Sequence, residues 1–153
     1  MDEVIGLFNK NNVRYLLIGG QAVRLEGMPR FSMDWGFYIP PKDLANIKKI
    51  NSLLNGELDL RLEPLGRKGE NFIQTFQTKW GILQFHLGGP GLPDFDQAEK
   101  RAVTHKTETD VAVRCICGTD LLESKKRTKQ AGRQNRYRIS GKEKRTGPAL
   151  NCR

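Results

Sequence analysis

Apolar and polar positions change period several times along this chain, and each change predicts an element. Val4, Ile5, Leu7 and Phe8 have helical spacing, and Asn11-Asn12 breaks it, so a short amphipathic helix is predicted over 2–11. Val13 to Ile18 is an apolar, β-rich run of strand length, ended by Gly19-Gly20. Gln21 to Glu26 reads as a helix stopped by Gly27-Met28-Pro29, and Trp35 to Ile39 as a second strand ended by Pro40-Pro41. Pro41 is placed to open the next helix, over 42–54, with Leu44, Ile47, Ile50, Leu53 and Leu54 inward. Leu58 to Leu62 alternates and predicts a short strand. Phe72–Thr78 and Ile82–Leu87 flank Lys79-Trp80-Gly81 as a hairpin. Asp94 is a candidate cap for a helix over 95–103, Val111–Ile116 reads as a strand, and Thr119 or Asp120 opens a last helix to about 130. After Gly132 the pattern fades. Helices and strands in this order give an α/β chain.

Length and composition sharpen the picture at the two ends. A chain of 153 residues suits one domain, or one domain with a tail, and 37% hydrophobic content leaves part of it outside the core. No apolar run approaches the ~20 residues that cross a membrane. The acidic start, Met1-Asp2-Glu3, lacks the pattern of a secretion signal, so a cytoplasmic, soluble protein is expected. Three cysteines make no disulfide framework; Cys115 and Cys117 read as small core residues on one strand face. Charge is segregated. Residues 1–124 carry 15 Lys/Arg and 16 Asp/Glu, whereas 125–153 carry 11 Lys/Arg and only Glu143, giving −1 and +10. We therefore expect a domain over 1–133 and a basic, irregular tail over 134–153. The basic end suits RNA or another nucleic acid held by its phosphates, and equally suits a solvated tail. Tyr137 is its only aromatic residue, so base stacking is not encoded there.

The candidate chemistry begins at Leu17-Ile18-Gly19-Gly20-Gln21-Ala22, a strand running through two glycines into a helix. Glycine allows close approach of the backbone to a bound group, and amides at a helix start suit a phosphate. Fourteen residues past Gly20, Asp34 stands where the second strand begins. A carboxylate there can face the glycine turn across adjacent strands. Magnesium commonly takes one or two carboxylates together with substrate phosphates.

Strand-Gly-Gly-helix followed by Gly27-Met28-Pro29-Arg30-Phe31-Ser32-Met33-Asp34 resembles the nucleotidyltransferase superfamily. The nearest flavour is the bacterial toxin-like and abortive-infection group, more distantly related to aminoglycoside adenylyltransferases. The resemblance continues through Gly89–Phe95 and Ala98–Val103 and weakly into Asp120-Leu121-Leu122, Lys125 and Arg133, covering about residues 1–133. It implies a small mixed sheet flanked by helices. It also implies transfer of a nucleoside monophosphate from a nucleoside triphosphate, with Mg2+, to a hydroxyl acceptor. Asp34 would be the catalytic and metal-binding carboxylate, with Gly19, Gly20, Arg30, Ser32 and Lys125 toward the triphosphate.

The same resemblance shows what is missing. The family's second carboxylate falls at position 36, which is Gly36. The third falls on the strand Ile82–Leu87, where Leu83, Phe85 and Leu87 make the apolar face and Gln84 and His86 the other. His86 is kept as a candidate metal or phosphate ligand facing the site, and Asp59, ahead of Glu57 and Glu63, as a substitute acid. The acid expected late in the last helix is absent, with Asn135 and Arg136 in its place. The expectation is a nucleotidyltransferase-like protein whose transfer is weak or lost, the alternative being a phosphate- or nucleic-acid-binding module working through its basic end.

Overall fold

A computed structural model describes residues 1–28 and 32–139, with side chains through 130. The first helix, α1 (Asp2–Lys10), buries Val4, Ile5 and Phe8 on one stripe, and its acids Asp2 and Glu3 sit in the first turn, where the helix dipole favours them. Strand β1 (Leu16–Ile18) follows and is fully buried. It runs directly into α2 (Gly19–Leu25), so both glycines lie within the helix's first turn rather than ahead of it. β2 (Asp34–Tyr38) returns antiparallel to β1, with Leu16, Leu17 and Ile18 opposite Tyr38, Phe37 and Gly36.

α3 (Leu44–Leu53) opens at Asp43, not at Pro41. The Asp43 carboxylate accepts from the Asn46 amide at 3.0 Å, a cap that proline has no side chain to make. The strand expected at 58–62 does not form. Leu62 is buried, but its N–H and C=O are satisfied by the Asn51 side chain at 2.8 and 2.9 Å, which removes the need for a ladder. The expected hairpin is present as β3 (Ile73–Thr78) and β4 (Gly81–His86). α4 (Phe95–Lys100) stops short of 103, and Val103 instead starts an unexpected strand, β5 (Val103–Lys106), antiparallel to β6 (Ala112–Cys115). Cys115 is a core residue as expected, while Cys117 lies past the strand and is half-buried. The last helix, α5 (Gly118–Ile139), runs well beyond 130. Of the expected tail, residues 140–153 lie outside the described residues.

The six strands form one mixed sheet in the order β3-β4-β2-β1-β6-β5, with β2–β4 and β1–β6 parallel. Partners across a ladder share a face, so the register sorts the side chains. On one face Phe37 stacks on Phe85 at 5.8 Å, and Phe8 from α1 meets both. Tyr15 and Phe76 complete that aromatic cluster. The other face carries Asp34, Gly36, Tyr38, Ile82, Gln84 and His86. Tyr38 packs edge-on against Phe95 of α4 there. At the end of the sheet where β1 begins, Arg14 bonds Asp43 of α3 and Asp96 and Glu99 of α4, tying the two helices together.

Candidate functional site

The site is built from the C-terminal end of β1 and the N-terminal end of β2. Their antiparallel register ends at Ile18 opposite Gly36, so the Gly19-Gly20 turn and Asp34, two residues before Gly36, lie at the same end of the sheet. Gly19 has φ +75°, a left-handed conformation that favours glycine, while a Cβ there would meet nothing within 4 Å. The need for glycine is therefore conformational, and the turn is open above. Gln21 in the first turn of α2 is only 4% exposed, and its Nε2 donates to the Ser32 carbonyl at 2.7 Å. That bond fixes the segment entering β2 against the glycine turn. Ser32 Oγ in turn reaches the Asp34 carbonyl at 3.3 Å.

Gln21 was not singled out in the sequence, although its place directly after the glycine pair marked it. Its Oε1 is buried without a hydrogen-bond partner among the described residues. An unsatisfied buried acceptor costs about 1–3 kcal/mol, so a donor at this spot would be held favourably.

Gly19, Gly20, Ser32 and Asp34 thus come together at one end of the sheet. Asp34 is half-buried, and Met33 beside it is 71% exposed. Arg30 lies outside the described residues. Lys125 is half-buried on α5, a helix that starts at this same end because β6 is parallel to β1.

His86 shares the face but not the end. In the β2–β4 register Asp34 is opposite Ile82 and His86 opposite Tyr38, four residues along, or roughly 13 Å at ~3.3 Å per residue. Its ring reaches back toward the middle of β2. A Cβ at Gly36 would stand 3.6 Å from His86 Nε2 and 3.2 Å from Ile18 Cγ1. The place of a second carboxylate is thus filled by Ile18 and the imidazole. Burial pushes His86 down to about 4, so the ring is neutral at pH 7.

Gly36 is directly opposite Gln84. The two positions where the superfamily resemblance expects the second and third acids are therefore ladder partners, and neither is acidic. None of the three substitute acids lies on β2 or β4. Glu57 pairs with Lys79 at 3.0 Å, and the Glu63 backbone is held by the Gln74 side chain. Asp59 lines a shallow groove of about 400 Å³ along α3 with Lys48, Asn51 and Arg61. Among the described residues no three His, Cys, Asp or Glu side chains come together as a metal site. The donor set does not fit the two-metal chemistry of the superfamily.

No family model and no curated protein matches the sequence. A solved structure does match by shape: a Thermotoga maritima protein described as a candidate nucleotidyltransferase. It superposes with a TM-score of 0.62 over 90% of this chain and 85% of its own, at 10% identity. The fold is of the nucleotidyltransferase type. At that identity the likeness carries the fold of the superfamily and not its toxin-like, abortive-infection or aminoglycoside branches. Within a nucleotidyltransferase-type fold, the glycine turn and Asp34 stand at the end of the sheet described above, and no helix among the described residues is long and apolar enough to cross a membrane.

Proposed function

We propose that this is a nucleotidyltransferase-like protein that binds a nucleoside triphosphate at the Gly19-Gly20 turn and whose metal-dependent transfer to a hydroxyl acceptor is weak or lost. The observation that carries this reading is the contrast between two neighbouring pairs. Gly19-Gly20 and Asp34 are kept together, while Gly36 and Gln84 face each other without an acid. Backbone amides of a glycine turn outlast side-chain substitution, so phosphate binding persists where carboxylates do not. Ser32 and Lys125 are the side chains proposed to meet the triphosphate, and Arg30 is kept with them on the strength of the resemblance.

Asp34 alone offers Mg2+ a single protein carboxylate, so the ion is proposed to arrive on the triphosphate's own oxygens. Losing one preorganised donor from a site of developing charge already costs roughly 2.7–4 kcal/mol. Two lost acids therefore remove several decades of rate at about 1.4 kcal/mol per decade.

Calorimetric titration of the protein with ATP and GTP, with Mg2+ or with EDTA, tests the reading, together with transfer of label from α-labelled triphosphates. The expected result is saturable binding, weakened less than about tenfold by EDTA, with transfer near background. Absence of triphosphate binding removes the proposal, and rapid Mg2+-dependent labelling of an acceptor removes its second half.

A further inference from the structure

The last helix changes character along its length. Over its first turns it belongs to the body. Leu121 is buried, Asp120 accepts two hydrogen bonds from Arg101, and the loop after β4 lies so close that a Cβ on Gly91 would stand 2.8 Å from the Glu123 carbonyl. From Lys126 to Gln130 every residue is exposed. Five successive helical residues make about 1.4 turns, so this stretch is exposed all round except where the Gly91 loop approaches the Arg127 Cβ. Its sequence, Lys-Arg-Thr-Lys-Gln, has neither an apolar residue nor an acid. Packing does not explain a helix that is polar all round.

The positions chosen for charge are informative. Lys126 and Lys129 form no ion pair among the described residues, whereas Arg127 is paired with Glu123 at 3.0 Å. In the sequence the same spacing continues with Arg133 and Arg136, at i+7 and i+10 from Lys126. This basic stretch follows residues 1–124, whose net charge is −1.

We infer that α5 beyond Lys125 is a docking arm for a nucleic-acid phosphate backbone, contacted without reading the bases. A stripe of cations releases condensed counterions when laid along a polyphosphate. The lack of any apolar residue in 126–130 argues against an anionic membrane, because interfacial helices need a buried apolar face. Tyr137 being the only aromatic residue in 125–153 argues against stacking on bases. The inference is independent of whether the glycine turn binds a triphosphate.

The full-length protein is titrated into a fluorescein-labelled 20-nucleotide RNA of mixed sequence, read by anisotropy between 50 and 200 mM salt. Lys126→Gln/Lys129→Gln is compared with Lys126→Arg/Lys129→Arg, and melting temperatures are recorded for each. The wild type is expected to bind with affinity that falls steeply with salt. The glutamine pair is expected to bind several-fold more weakly on every sequence and to lower the log–log salt slope by about 2, with unchanged melting. The arginine pair retains binding. Equal affinity and slope for the glutamine pair overturn the inference, as does absence of RNA binding at 50 mM salt. So does tighter association with phosphatidylserine vesicles than with the RNA.

Discussion

On one face of the sheet Phe37, Phe85, Phe8, Tyr15 and Phe76 interlock with ring centroids 5.5 to 6.5 Å apart. On the other, one residue away along the same strands, stand Gly36, Gln84 and a neutral His86. The faces share every backbone hydrogen bond of β2 and β4 yet answer to different demands. The aromatic face is held by area and shape, which any change in volume disturbs. The polar face takes no part in that aromatic cluster. The two faces therefore predict different responses to substitution.

The largest effect is expected on the aromatic side. Phe37 is fully buried and touches Phe8, Tyr15 and Phe85. Phe37→Ala should cost about 3–5 kcal/mol in urea unfolding, a loss from which a marginal domain does not recover. A cost below about 1 kcal/mol would mean that this cluster is not the one that holds the sheet.

His86 supplies the next effect, and it depends on pH. Burial lowers its imidazole from an ordinary 6.5 to about 4. Between those values the unfolded chain holds a proton that the folded chain does not, so protons favour unfolding. The stability is whole above pH 6.5 and falls as the pH drops toward 4, by up to about 3 kcal/mol at 1.36 kcal/mol per pH unit. His86→Gln should flatten that part of the acid limb in denaturation curves measured from pH 7 to 4. An unchanged limb would place the imidazole in water.

How much of this was legible beforehand differs by face. The aromatic side announced itself through period-two patterns at Leu83, Phe85 and Leu87 and through the β-rich run ending at Ile18. That Gly36 and Gln84 bring no acid to that face was equally visible, because strand periodicity fixes which residues accompany Asp34. Three things were not. β5 is an edge strand, its four residues largely exposed, and carries no apolar alternation to find. Leu58–Leu62 alternates, but Leu60 is 72% exposed and the backbone of Leu62 is claimed by Asn51, so pattern without a partner strand misled. The part of Gln21 depends on a contact with Ser32, eleven residues away, which one residue's identity does not reveal. Nor does the sequence tell that the His86 ring closes over position 36.

That closure gives a sharper test of the comparison. If the second acid's place is filled by Ile18 and His86, Gly36→Asp should overpack it and cost about 1–3 kcal/mol. His86→Ala in the same chain frees part of the room. The double variant should then be more stable than the sum of the two single costs, with a coupling of about 1 kcal/mol in a thermodynamic cycle. Adding Gln84→Asp to that double variant restores three carboxylates along the face. Mn2+ affinity, read by calorimetry, is expected to rise with each acid. Additive costs for positions 36 and 86 would show that the ring does not guard the position. Metal binding that ignores all three acids would detach this face from the superfamily's chemistry.

The smallest effect lies where the polar face meets α4. The Tyr38 hydroxyl donates to the Pro93 carbonyl at 2.7 Å, while its ring packs on Phe95. Tyr38→Phe keeps the ring contact and strands the carbonyl, so a loss of about 1 kcal/mol is expected. Burial raises this phenol to about 12. Its folded form thus keeps a proton that the unfolded form sheds from about pH 10, and its contribution is present below 10 and lost as pH rises through 12. Tyr38→Phe should therefore soften the alkaline limb of the stability curve while leaving the His86-dependent acid limb as it was. A change on the acid limb instead would mean that the two residues, paired opposite each other in the β2–β4 register, act as one coupled group rather than as the separate ends of a polar face.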